Sequence, residues 1–119
     1  MSPNIVCSEF ILTLDPLHIN RQSSYLVGKD KRVAHILVNH PSCSRQHSVI
    51  QYREDKSTDE NGKIVIEVKP YIMDLESTNG TFINKSKIES SKYYEIKNYD
   101  IINFGFSTRD YIITKVNIK

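Results

Sequence analysis

Three polar clusters in this chain bring hydroxyls, cations and an amide within a few residues of one another. They are Gly28-Lys29, Ser42-Cys43-Ser44-Arg45-Gln46-His47 and Ser77-Thr78-Asn79-Gly80-Thr81. Together they supply the hydroxyls of Ser42, Ser44 and Thr78, the cations of Lys29 and Arg45, and the amide of Asn79. Gly80 adds a turn that can aim backbone N–H groups outward. Such donors suit a phosphate dianion, which carries a charge of about −2 and three acceptor oxygens.

Catalysis asks for more than these residues supply. Ser44 with His47 has the makings of a nucleophile and its base, and Cys43 with Arg45 those of a thiol phosphatase. Each pair, however, lies in one short stretch with no orienting acid and no phosphate-cradling helix. The chain is therefore read as non-enzymatic. His47 is read as a buried, hydrogen-bonded support for the Ser44 segment. Asn79-Gly80 is first a turn and then a clamp, with Thr81 behind it, and Gly28 permits close approach at a strand end and helps shape the site. With only Cys7 and Cys43, neither a zinc spacing nor a disulfide framework is supported, so free thiols, no metal and no cofactor are expected.

The elements that must position these clusters are strands. The chain has 16 Ile, 8 Val and 6 Thr against 6 Leu and one Ala, so β-branched residues fill the apolar positions and strong helix formers are scarce. Ile64, Ile66 and Val68 alternate with Val65, Glu67 and Lys69, the period of a half-buried strand. Ser48 to Arg53 precedes it, and the polar run Glu54 to Lys63 between them, with Asn61-Gly62 near its end, predicts a long hairpin. Further strands are expected over Glu9 to Leu14, Ser24 to Gly28, His35 to Leu37, Tyr71 to Asp74, Thr81 to Ile83, Tyr93 to Ile96, Ile101 to Phe104 and Tyr111 to Val116. Many short strands in 119 residues, with no amphipathic helix between them, predict an all-β, two-sheet antiparallel β-sandwich with its binding loops at one end. Residues 5–118 read as one domain and residues 1–4 as a disordered start, with Met1-Ser2-Pro3 beginning an excised piece.

Charge narrows the partners. Sixteen basic against fourteen acidic residues leave a formal net charge of +2, too little for a partner held through many phosphates, so any anion site must be local. Tyr93, Tyr94 and Tyr99 read as core and edge residues rather than a base-stacking surface, since no dense basic patch interleaves them. No apolar run exceeds three residues, whereas a membrane span needs about 18 to 20. Neither a sequence-specific nucleic-acid partner nor a membrane is expected.

In this order, Gly28, then Ser44-x-x-His47 sixteen residues later, then Thr78-Asn79-Gly80-Thr81, the clusters resemble the forkhead-associated (FHA) domain, a phosphothreonine-binding sandwich module. The resemblance covers residues 22–117. Tyr25-Leu26-Val27-Gly28, His40 to His47, Lys69 to Leu75 and Asn103 to Ser107 look more narrowly like the Smad nuclear-interacting-protein branch, which includes the FHA subunit of the fungal pre-mRNA retention and splicing complex. The resemblance implies that Ser44 hydrogen-bonds phosphate, Arg45 adds charge, Thr78 helps position the phosphopeptide and Asn79 holds its backbone. It also implies a preference for phosphothreonine over phosphoserine, a monomeric domain, a phosphothreonine-containing partner, other subunits of a splicing assembly, and a nuclear location that can extend to the cytoplasm. One departure is Lys29, where the family usually has Arg; an ammonium offers a point charge in place of a bidentate fork. Phosphorylation-independent scaffolding within the same complex is the rival reading.

Overall fold

The computed structural model describes residues 4–7, 9–12, 17–18 and 23–116, with side chains over 23–114. The described strands are β1 (Asn4–Cys7), β2 (Glu9–Leu12), β3 (Leu17–His18), β4 (Ser24–Gly28), β5 (Ile36–Leu37), β6 (Ser48–Thr58), β7 (Ile64–Asp74), β8 (Thr81–Ile83), β9 (Ser86–Lys87), β10 (Tyr94–Glu95), β11 (Ile101–Phe104) and β12 (Tyr111–Val116). One six-stranded sheet runs β1-β7-β6-β4-β5, with β10 also on β7; the other runs β3-β2-β12-β11-β8-β9. Among the described strands the pairings are antiparallel except β1 with β7 and β4 with β5. Among the described residues there is no helix.

The sequence alternation decides what lies between the sheets. Tyr25 and Val27 of β4, Ile50 of β6 and Ile72 of β7 point inward from one sheet, and Ile102 and Phe104 of β11 with Tyr111 and Ile113 of β12 from the other; all belong to one buried cluster. Branched side chains dominate because a pleated, closely faced surface leaves their stiff χ1 rotamers little entropy to lose. The layered, all-β architecture is the one the composition predicts.

Two features differ from the sequence reading, and both arise in the β6–β7 hairpin. The first half of the run Glu54 to Lys63 is strand: pairing continues from Arg53↔Lys69 out to Thr58↔Ile64, and residues 59–63 form the turn. There Asp59 Oδ1 accepts the N–H groups of Asn61 and Lys63, both at 2.9 Å. Much of this ribbon is solvated, so its sequence shows little apolar alternation and resembles loop. The second feature is that Ile64 to Lys69 and Tyr71 to Asp74, expected as separate strands, are one strand through buried Pro70. The Pro70 carbonyl accepts the Ile96 N–H at 3.0 Å, on the edge of β7 away from β6. The missing Pro70 N–H therefore faces the gap between β1, on Val65 to Val68, and β10, on Tyr71 and Ile72, where the ladder loses no bond.

Smaller differences lie at the edges. Asn4, expected within a disordered start, opens β1, and the two-residue strands β3 and β9 carry no sequence signal. Of the strand expected over Glu9 to Leu14, Glu9–Leu12 is described; residues 13–14 and the side chain of Cys7 lie outside the described residues.

Truncating Ile72 to Ala at the centre of this packing is expected to cost about 2–5 kcal/mol in urea unfolding, because the void cannot close between two sheets. The same change at Ile64, 56% exposed, is expected to stay within about 0.5 kcal/mol. Equal costs at the two positions would contradict this placement of the core.

Candidate functional site

The site starts where β4 ends. Beyond Gly28 the chain stays against the 44–47 segment: the Lys29 N–H donates to the Ser44 carbonyl at 3.1 Å, the Asp30 N–H to the Arg45 carbonyl at 3.2 Å and the His47 N–H to the Val27 carbonyl at 2.8 Å. A Cβ on Gly28 would lie 1.9 Å from the Arg45 carbonyl oxygen, a backbone atom that cannot step aside. Glycine is what lets this seam close.

His47 is fully buried and joins two loops distant in sequence. Its Nδ1 lies 3.0 Å from the Ser44 backbone nitrogen, and its Nε2 lies 2.8 Å from the Gly80 carbonyl oxygen. A backbone N–H can only donate, so Nδ1 must accept and Nε2 must carry the proton. Phe104 meets the imidazole edge to face at 5.5 Å between centroids. Burial pushes the His47 pKa below its ordinary value, outweighing the Gly80 hydrogen bond and the charge of Asp74, which pull upward. His47 is thus a neutral clip, and it makes no bond to the Ser44 hydroxyl that a nucleophile–base pair would need.

Asp74 organises the other loop from beneath. This buried carboxylate accepts the hydroxyls of Ser77 at 2.5 Å, Thr81 at 2.6 Å and Ser90 at 2.7 Å, and the Ser77 N–H at 3.0 Å. Because Thr81 spends its proton on Asp74, Ser48 donates to Thr81 across 2.6 Å. Burial alone would raise the Asp74 pKa, but these donors prevail and hold it below the usual carboxylate range. Asp74 was not among the candidate site residues. The signal was present, since Pro70, Ile72 and Asp74 share the inward face of β7, and a carboxylate there needs partners.

Above these supports the candidates separate into two groups. Ser42 is engaged within the loops: its hydroxyl donates to His40 Nδ1 at 2.7 Å and accepts the Phe106 N–H at 2.8 Å, while its carbonyl accepts Asn79 Nδ2 at 2.8 Å. Ser44 Oγ accepts the Thr78 N–H at 3.1 Å and keeps its own proton without an acceptor among the described residues. Arg45 and Thr78 are exposed and their side chains have no hydrogen-bond partner among the described residues. Lys29 is exposed too, its ammonium 3.4 Å from the Pro41 carbonyl. Gly80, at φ +89°, turns its carbonyl to accept both His47 Nε2–H and, at 2.9 Å, the Gly105 N–H. Cys43 is buried with its Sγ 3.6 Å from the Phe104 carbonyl, and burial pushes its thiol pKa up, away from thiolate chemistry. Among the described residues, no group of three or more His, Cys, Asp or Glu could hold a metal ion.

Residues 25–105 match the FHA domain family. The chain belongs to that family. FHA domains are phosphopeptide-binding modules. Over 100 residues the chain is 50% identical to Smad nuclear-interacting protein 1 of Mus musculus, covering 84% of this chain and 26% of that protein. Over 103 residues it is 52% identical to the FHA domain-containing protein DDL of Arabidopsis thaliana, covering 87% of this chain and 33% of that one. The structure of the yeast Pml1 splicing factor, solved with its integration into the RES complex, aligns with a TM-score of 0.70 at 28% identity over 93% of this chain and 80% of Pml1. The chain spans about a quarter to a third of the length of these curated relatives.

Two outcomes follow from the FHA supports. Gly28→Ala is expected to destabilise the fold by about 1–3 kcal/mol in urea unfolding, since the Arg45 carbonyl must be displaced. His47 contributes in its neutral form, so its share of stability is complete above the unfolded value near pH 6.5 and is lost as pH falls below it, at up to about 1.4 kcal/mol per unit. The stability gap between wild type and His47→Gln is therefore expected to narrow from pH 7.5 towards pH 5, and a constant gap would contradict the buried neutral imidazole.

Proposed function

We propose that this chain is a non-enzymatic phosphothreonine-peptide receptor and a subunit of a splicing-associated pre-mRNA retention assembly in the nucleus. The observation that carries the first half is the seam between β4 and residues 44–47. There the unspent proton of Ser44, the guanidinium of Arg45 and the ammonium of Lys29 stand on backbone segments bonded to one another. Phosphate oxygens accept from these groups, and an unphosphorylated hydroxyl leaves them idle, so binding switches with phosphorylation. Asn79 commits its NH2 to Ser42, which leaves its carbonyl oxygen to accept an N–H of the bound peptide. The second half is supported by the 50% identity to a Smad nuclear-interacting protein and by the likeness to Pml1, a splicing factor of the RES complex.

Fluorescence anisotropy against a degenerate phosphothreonine library, with phosphoserine and unphosphorylated controls, tests the receptor. Each of Ser44→Ala and Arg45→Ala removes a donor to a charged acceptor and is expected to weaken binding about 10- to 100-fold. Binding that ignores phosphorylation, or that survives phosphatase treatment of a captured partner, would instead establish a phosphorylation-independent scaffold. Lys29→Arg exchanges a point charge for a planar fork and is expected to tighten phosphopeptide binding in titration calorimetry. Unchanged or weaker affinity would show that Lys29 does not touch phosphate.

A further inference from the structure

The turn that leads into Ser44 is closed by a side chain outside the proposed phosphate contacts. Residues 40–43 form a β-turn in which the Cys43 N–H donates to the His40 carbonyl at 3.0 Å. Across the same turn the Ser42 N–H donates to His40 Nδ1 at 3.1 Å. A bond from the first side chain of a turn to the N–H two residues on is the one that Asn and Asp usually make. An N–H can only donate, so Nδ1 carries no proton and also accepts the Ser42 hydroxyl, at 2.7 Å.

Ser42 passes this order to two other loops. With its proton given to His40, its Oγ accepts the Phe106 N–H at 2.8 Å. The β11–β12 loop packs there so closely that a Cβ on Gly105 would lie 2.7 Å from the same oxygen. The Ser42 carbonyl accepts Asn79 Nδ2 at 2.8 Å. A carbonyl accepts and never donates, so this contact decides which end of the Asn79 amide is spent within the loops and which is left for a ligand.

We infer that His40 is a positioning residue for phosphopeptide binding, acting through Ser42 to hold the Asn79 carboxamide in the orientation that presents Oδ1 to the peptide backbone. The inference rests on the phosphopeptide reading above and adds to it a residue that touches no ligand. Without an acceptor at the Nδ1 position, the Ser42 N–H and hydroxyl lose their common partner and the turn loosens. The Asn79 amide then rotates freely, and part of the binding free energy goes to ordering it again. Asparagine at position 40 restores the acceptor, since its side-chain oxygen reaches the N–H two residues on. His40 is half-buried, and leucine fills its place without an acceptor.

Wild type, His40→Leu, His40→Asn, Asn79→Ala and the double variant His40→Leu with Asn79→Ala would be titrated with a phosphothreonine peptide selected from the degenerate library. His40→Leu is expected to weaken binding about three- to tenfold, and His40→Asn to stay within about twofold of wild type. In the Asn79→Ala background His40→Leu is expected to cost less than about twofold, because the clamp that it serves is gone. Heteronuclear NMR of the free protein is expected to show the Asn79 side-chain NH2 exchanging with water faster in His40→Leu than in wild type or His40→Asn. Wild-type affinity in His40→Leu, failure of His40→Asn to keep binding, or an equal cost of His40→Leu with and without Asn79 overturns the inference and leaves the phosphopeptide reading intact. Loss of the native spectrum in His40→Leu does the same, since it makes His40 a support of the whole fold. Absence of wild-type binding to every phosphopeptide overturns the reading and the inference together.

Discussion

Everything presented at the open end of this sandwich depends on one buried imidazole with a fixed tautomer. His47 accepts from the Ser44 backbone through Nδ1 and donates to the Gly80 carbonyl through Nε2, so a single side chain sets the distance between loops 33 residues apart. Protonation of Nδ1 would oppose the Ser44 N–H with a second donor and open the clip. Burial keeps the ring neutral. The histidine three residues from Ser44 is the fastener that makes Ser44 a well-placed donor.

The second loop is held by the same logic with a different group. Asp74 receives four donors and lies at the end of β7, so the Ser77 to Thr81 turn is pinned to the sheet and not merely attached to it. Asn79 then ties that turn to the Ser42 carbonyl, and Ser42 ties the β11–β12 loop through Phe106. The half-buried Ser44 and the exposed Arg45 and Thr78 therefore stand on backbone that is already ordered. A ligand that meets preorganised donors loses less of its binding free energy to ordering them.

The class of fold, and the identity of the loops that matter, were legible along the chain. Abundant Ile and Val with almost no Ala pointed to strands, and the alternation at Ile64, Ile66 and Val68 survives as an inward face at Ile66. The outer arm of β6, Glu54 to Thr58, was not legible, because a strand with no buried residue has no apolar period to read. Nor was Pro70 inside β7: its tolerance depends on a gap between two neighbouring strands on the far edge, which is a property of the sheet and not of the residue.

What the sequence by itself determined is chemical: which donors exist, that Ser44, Arg45, Thr78 and Asn79 sit beside turn signals, and that Gly28 ends an apolar strand. These depend on residue type and short-range spacing, which a one-dimensional reading preserves. The tertiary structure alone decided the division of labour. It turned Ser42 into a tie between loops, made Asp74 an anchor, and left Ser44 with a proton to give. The ties at Ser42 and Ser44 are hydrogen bonds between segments 34 to 64 residues apart, and those at Asp74 reach 3 to 16 residues along the chain; which donor is spent and which remains free is settled only when the two sheets close.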